Sequence, residues 1–293
     1  MAAMPSFQYP EVEGVHVLKH FRVPGRLAVK LEELDVSVPT VLRKAGLPRD
    51  LFKQTRILVS TSELFALWRA IDTVSADPLV GVKLGVETKT ERFHPMAIAA
   101  LSTENLVAAS QHMARYKKLT APEEIIVELN EEEFVVGFRW LLAVDTEPWT
   151  LTDYCFSWMR SLARHGSGTS LSPLRVEYVQ QRLNVRQIER SLGCDVVVVG
   201  APRNVIIFRA SDATRPFVTR NAELLDLLAP QFEEQLRQYT EEDGSRTGST
   251  HDTGQAYRPS TFHQICFRDT SHGPAHITTS AARFGLELPA CPR

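Results

Sequence analysis

Ile125-Ile126-Val127-Glu128-Leu129, then Asn130-Glu131-Glu132-Glu133, then Phe134-Val135-Val136-Gly137-Phe138-Arg139-Trp140 is the stretch that decides the fold class. Two runs rich in β-branched and aromatic residues flank a polar, acidic turn, which is the pattern of a β-hairpin. Further on, Leu174-Arg175-Val176-Glu177-Tyr178-Val179 alternates in polarity and reads as a half-buried strand. Asp195 to Val199 and Val205 to Phe208 are short apolar strands on either side of Gly200-Ala201-Pro202-Arg203-Asn204. Between hairpin and strands, Thr150 to Arg164 carries Leu151, Tyr154, Cys155, Trp158, Met159 and Leu162 as the apolar positions of a helix. Strands and a long helix in this order predict an α+β unit over residues 121–220.

Upstream of the hairpin the apolar period is helical. Leu27, Leu31 and Leu34, then Val38, Val41 and Leu42, form a pair of short helices stopped by Gly46, a plausible C-terminal cap. Thr61-Ser62-Glu63 opens a second amphipathic segment through Ile71, Asp77-Pro78 starts another over Leu79 to Gly85, and Leu106, Ala109, Met113 and Tyr116 share one helical face. Residues 25–120 are thus predicted to be helical, after an extension over 1–24. Beyond the sheet, Asn221 to Tyr239 is a last helix, with an apolar stripe of Leu224, Leu225, Leu228, Phe232 and Leu236. Glu223, Glu233, Glu234 and Arg237 take its wet side, and Pro230 is expected to kink it. Residues 241–293 shift to Gly, Ser, Thr and His with few periodic apolar positions, as expected of a low-order tail.

With 293 residues and 43% hydrophobic content, the chain can bury a sizeable core. Against 35 acidic residues stand 33 basic ones, so the net charge of -2 gives no global field for holding a polyanion. Met1 to Phe21 lacks the apolar run of a secretory signal, and no later run approaches the ~20 apolar residues that span a bilayer. The default compartment is therefore the cytoplasm, and Cys155, Cys194, Cys266 and Cys291, too scattered for a disulfide framework, are expected to be reduced thiols.

The order of these elements resembles the N-terminal sensor domain of the arabinose-operon-regulator (AraC) family, in the branch whose sensor begins with helices. The residues that carry the resemblance run from Val41-Leu42-Arg43-Lys44-Ala45-Gly46-Leu47 through Trp68 and Asp77-Pro78-Leu79-Val80-Gly81-Val82-Lys83-Leu84-Gly85 to Leu101-Ser102-Thr103 and Ala114-Arg115-Tyr116. They continue through Leu192-Gly193-Cys194 and Ala201-Pro202-Arg203-Asn204-Val205-Ile206-Ile207-Phe208 to Asn221-Ala222-Glu223-Leu224-Leu225. The resemblance implies a domain that binds a small-molecule effector and dimerises, with a two-part helix-turn-helix reader of DNA after the last helix. No such reader is recognisable in frame. Ala275 to Arg293 can, however, be encoded by codons that in a shifted frame give PRTLQRRLHDLGSSFQRAR, which looks like a recognition-helix region, so a frameshifted gene or a sequencing error is expected.

Several motifs invite other readings. His263, Cys266, His272 and His276 have zinc-ligating side chains, but their spacing fits no common finger, so no metal is assigned. Gly25 to Gly46 has a helix-turn-helix outline, yet its second helix offers only Arg43 and Lys44 to base edges, while the first carries Glu32 and Glu33. There is no G-x-S-x-G elbow, no H-E-x-x-H helix and no P-loop, and Asp145, Asp153 and His165 have no partner implied by spacing, so no catalytic residue is assigned. Gly166-Ser167-Gly168 reads as the exit loop of the helix that ends near Arg164.

The candidate effector pocket is drawn from Phe93, His94, Arg115, Tyr116, Trp140, Tyr154 and Trp158. Large amphipathic side chains near a sheet-helix junction line many small-molecule sites, although core packing is the commoner role of any one aromatic. Arg115 is the candidate cation for an acidic effector, against the plain reading of a solvated helix residue. Relatives carry a small residue after the Phe at this point, where this chain has His94 and Pro95. The function expected is a ligand-responsive regulator without a recognisable DNA reader. The alternative is a stand-alone small-molecule-binding or dominant-negative interaction protein. Expected partners are a small-molecule effector and a second copy of the chain, with promoter DNA only in a full-length relative, and neither a cofactor nor a membrane.

Overall fold

A computed structural model describes residues 18–87, 89, 93–182 and 184–246. By its internal contacts the chain divides into Met1–Ser249 and Thr250–Arg293. The tail after residue 246, with its zinc-like set and shifted-frame stretch, lies outside the described residues.

The sheet follows from the sequence pattern. β3 (Glu123–Leu129) and β4 (Glu133–Trp140) form the expected hairpin, whose turn closes because the Asn130 side-chain oxygen accepts the backbone N–H groups of Glu132 and Glu133 at 2.9 and 2.7 Å. β5 (Arg175–Tyr178), β6 (Val196–Val199) and β7 (Val205–Arg209) complete five strands in the order β3-β4-β7-β5-β6, with only the β5–β6 pair parallel. One row of β-branched side chains, Val127, Val136, Ile206, Val176 and Val197, crosses all five strands at matching register. Its three middle members are fully buried. A one-residue slip of any strand would turn its member of this row toward the other face, so the row fixes the register.

The helical part comprises α1 (Arg26–Glu33), α2 (Val38–Ala45), α3 (Thr61–Val74), α4 (Val80–Gly85), α5 (Pro95–Leu101) and α6 (Leu106–Tyr116). α2 ends at Gly46, whose φ of 70° is left-handed as a capping glycine requires. α3 begins at Thr61 as expected, and its N-cap Ser60 forms a capping box with Glu63. Two features have no periodic signal strong enough to read: the two-stranded ribbon of β1 (Phe21–Arg22) and β2 (Leu58–Val59), and α8 (Val185–Leu192), which buries only Ile188 and Leu192. α5 is also set by a local device, the Nδ1 of His94 accepting the Met96 N–H at 3.3 Å just before Pro95.

The centre of the described fold is α7 (Trp149–Ser167), which touches α3, α4, α5, α6 and α8 and meets the sheet where Phe156 packs on Tyr178, 5.4 Å between ring centroids. It runs three residues past Arg164. Position 166 accommodates only glycine because a side chain there would strike the Phe217 ring, Ser167 donates to the Ala163 carbonyl at 2.8 Å, and the left-handed Gly168 ends the helix. The expected exit loop is thus mostly helix. A short α9 (Ala210–Ala213) follows β7, and α10 (Ala222–Arg246) carries Pro230 within its length.

α4 lies against α7 through two glycines one turn apart. A Cβ on Gly81 would fall on the Thr150 carbonyl and 2.8 Å from the Asp153 Cβ, and one on Gly85 on the Tyr154 carbonyl and 2.7 Å from the Ser157 Cβ. Gly81→Ala and Gly85→Ala should therefore each cost about 1–3 kcal/mol in urea unfolding, as overpacking does. Gly25→Ala is the control: its Cβ would meet nothing nearer than Ile57 at 3.9 Å, and its stability should stay within about 0.5 kcal/mol or rise. Equal losses at all three positions would refute close packing as the cause.

Candidate functional site

The seven candidate effector residues lie in three separate places. Trp140 and Tyr154 belong to the core of the helical part: Trp140 contacts the rings of Phe21 and Phe65 at 5.5 and 5.7 Å, and Tyr154 meets Trp68 at 4.9 Å. Burial pushes the Tyr154 phenol up to about 12. Both side chains pack against this core.

Arg115 and Tyr116 sit under α10. Arg115 is exposed and pairs with Glu233 at 2.9 Å, and the buried Tyr116 donates its hydroxyl to the other oxygen of the same carboxylate. Burial, then the hydrogen bond to Glu233, pushes the Tyr116 phenol up to about 12. The cation suggested for an acidic effector is thus satisfied within the chain, and Glu233, expected on the wet side of its helix, is its partner.

Phe93, His94 and Trp158 form the third group. Phe93 is buried and meets Trp158 at 5.8 Å and His165 at 5.4 Å, both edge-on, whereas His94 is exposed and caps α5. Trp158, Ser161 and His165 line one face of α7, and beside them stands a carboxylate that the sequence did not single out. Glu87 is 1% exposed, with Arg26 at 3.2 Å and Lys30 at 3.4 Å from its Oε2. Its backbone N–H donates to Ser161 Oγ at 3.0 Å, and its carbonyl meets Arg164 at 3.2 Å and His165 Nε2 at 2.9 Å. Lys30 also donates to the Leu84 and Val86 carbonyls at the end of α4. The Glu87 carboxylate with Arg26 and Lys30, and Arg164 on the Glu87 carbonyl, stand next to an aromatic pair and make this corner of α7 a candidate for ligand recognition. No local motif announces it, because Arg26, Glu87 and Arg164 are brought together only by α1, α4 and α7.

Two further polar groups lie at the end of the sheet. Asp153 and Arg182 form a bidentate pair, 2.9 Å at both contacts and wholly buried, with the Tyr178 hydroxyl donating to the same carboxylate at 2.7 Å and the Arg182 guanidinium 4.1 Å from the Trp149 ring centre. Burial pushes the Asp153 carboxyl up, and Arg182 and Tyr178 hold it down. Asp153, assigned no partner from spacing, thus has two from other elements, as His165 does in Glu87. Nearby, Glu147 accepts from Thr152 at 2.8 Å and Asn204 at 3.0 Å, while burial pushes its carboxyl up to about 7.

A cleft of about 310 Å³ between the residues leading into α4 and α8 is lined by Asp77, Pro78, Leu79, Gln187, Arg190 and Ser191, and shares no residue with the aromatic groups. Among the described residues, no helix is long and apolar enough to cross a membrane.

The family profile described as the arabinose-binding domain of AraC transcription regulators, N-terminal, matches residues 36–217. This spans more than half of the chain, from α1–α2 to the segment before α10, and the chain belongs to that family. The match is narrower than the resemblance read from the sequence and stops short of α10. No curated protein matches the chain. Among solved structures, the transcriptional regulator CdpR from Pseudomonas aeruginosa is similar with a TM-score of 0.47 and 17% identity, over 73% of this chain and 64% of that one. The chain thus spans less than two thirds of that structure's length.

Asp153→Asn should cost about 3–5 kcal/mol in chemical denaturation, because it strands the buried Arg182. For Glu147 the sign is opposite. Its folded pKa lies above the unfolded value, so the folded state binds the extra proton and loses stability as pH rises from about 4.5 to about 7. Glu147→Gln should therefore melt above the wild type at pH ~8 and lose that advantage near pH ~4.5. A wild-type melting curve that the substitution leaves unchanged at both pH values would show that Glu147 titrates normally.

Proposed function

We propose that this chain is the effector-sensing and dimerisation portion of an AraC-type transcription regulator, with residues 25–240 as the sensing unit. The observation that carries the reading is the family match over 36–217, which takes in helical part, sheet and α7 together. The effector site is the corner of α7 made by Phe93 and Trp158, with His165 and the Arg26, Lys30, Arg164 and Glu87 group beside it. An aromatic pair supplies apolar contact, and Arg164, which is exposed and bonds a neutral carbonyl, suits an anionic group, so an organic acid with a planar or apolar body is the ligand class. Tyr116, Arg115, Trp140 and Tyr154 then act as structural neighbours of the sensing unit.

Self-association is assigned to α10. Phe232 is buried, while Leu224, Leu225, Leu228 and Leu236 are half-buried and Leu227 is 67% exposed. A helix that packs one edge on its own domain and leaves leucines wet suits a two-fold partner.

A thermal-shift series with small organic acids tests the effector site. A ligand at a hundred times its Kd should add about 2.7 kcal/mol to the stability of the wild type, and Trp158→Ala should abolish the increment while remaining folded. An undiminished shift in that variant would move the site elsewhere. Sedimentation tests α10: Leu228→Glu should convert a dimer into a folded monomer, whereas a monomeric wild type at high concentration rejects the interface. A dimer that binds organic acids but has no influence on transcription from its neighbouring promoter would favour the stand-alone binding protein.

A further inference from the structure

α10 is anchored to the sensing unit at two places. The first lies at its start, where the Asn221 N–H donates to the Ser102 carbonyl at 3.0 Å, Thr219 Oγ1 donates to the Leu101 carbonyl at 2.6 Å, and Asn221 Oδ1 accepts the Leu224 N–H at 3.0 Å. The second lies about 18 Å further along the helix, at Phe232 and Glu233. There α6 presents His112, Arg115 and Tyr116, which share one helical face. The Phe232 ring meets Tyr116 at 5.2 Å and His112 at 5.6 Å, and His112 meets Tyr116 at 4.8 Å, so three rings close on one another. Glu233 completes the contact by accepting from Arg115 and Tyr116.

His112 is the sensitive member of this group. Its Nε2 is buried and has no hydrogen-bond partner, a position that suits a neutral imidazole. A proton there would create a cation without an acceptor, beside another cation, in the low-dielectric gap between two aromatic rings. Burial lowers the His112 pKa, the Glu233 carboxylate opposes this, and the Arg115 guanidinium adds a smaller lowering. The other elements against α6 add little: α5 carries no titratable side chain between Pro95 and Leu101, α7 meets α6 where Ser110 touches Met159, and the Lys117 ammonium of the following turn is engaged by Glu123 of β3 at 2.8 Å.

We propose that α6 and α10 form a pH-sensitive latch, closed while His112 is neutral and released when His112 is protonated, which frees α10 and its half-exposed leucines from the sensing unit. The latch rests on the α6–α10 geometry alone and holds whether or not the effector reading is right. The sign is fixed by linkage. The closed state binds fewer protons, so it is fully favoured above the ordinary histidine pKa and loses ground as pH falls below it. Glu233 is held below the usual carboxylate range by Tyr116 and Arg115, and stays ionised over that interval.

Hydrogen exchange on the full chain tests the latch, with amides of residues 225–239 followed at about pH 7.5 and about pH 5.5, corrected for intrinsic rates, and those of α7 as internal reference. Protection of α10 should fall about tenfold at the lower pH while α7 is unchanged. His112→Gln and His112→Phe should remove the fall, and Glu233→Gln should weaken α10 protection at both pH values. Unchanged α10 protection in the wild type, or a fall that persists in both His112 variants, overturns the proposal. So does an NMR titration of the wild-type His112 ring at or above the ordinary value of about 6.5.

Discussion

The approach of α4 to α7 is the constraint on which the rest of the structure depends. Helices normally pack with axes 8–10 Å apart, and contact of one backbone with the carbonyls of another requires glycine at the meeting points. Gly81 and Gly85, one turn apart, supply it. The price is low helix propensity in α4, which is short and would be unstable alone. Its stability comes from α7, which in turn is buried on most of its circumference.

From that contact the placement of the charged groups follows. The end of α4 delivers Glu87 to Ser161, Arg164 and His165 of α7, and Lys30 of α1 caps the last carbonyls of α4 and reaches the Glu87 carboxylate. Nearer the start of the same helix, Asp153 accepts from Arg182 and Tyr178, tying the end of β5 to α7. One helix thus holds two buried carboxylate sites, one at each of its junctions. Displacing α4 would affect the candidate effector corner directly, and the sheet only through α7.

The contact between α6 and α10 is of a different kind. It is peripheral, built from three rings and one carboxylate, and its Arg115–Glu233 pair is largely exposed, where ion pairs contribute little. Its closure depends chiefly on ring packing around His112, Tyr116 and Phe232. A contact of this modest strength can open without unfolding the core, which the α4–α7 contact cannot do.

The sequence by itself determined the elements and their order. Alternation and β-branched runs marked the five strands of the sheet, helical periodicity marked α1 to α4, α6, α7 and α10, and the ordered motifs identified the family before any contact was known. These signals are local and repeat along the chain, so they survive without tertiary information. The short ribbon of β1 and β2, α8, and the helical character of Gly166-Ser167 were not legible, because each is held by a distant neighbour and not by its own pattern. The candidate site was legible only in part. Phe93 and Trp158 were chosen for their chemistry and do meet, but Trp140 and Tyr154 are packed in the helical core and Arg115 faces α10. Residue type says what a side chain can do, while its partner depends on which helices cross. Arg26, Glu87 and Arg164 are separated by scores of residues, and only the docking of α1, α4 and α7 makes them one charged cluster.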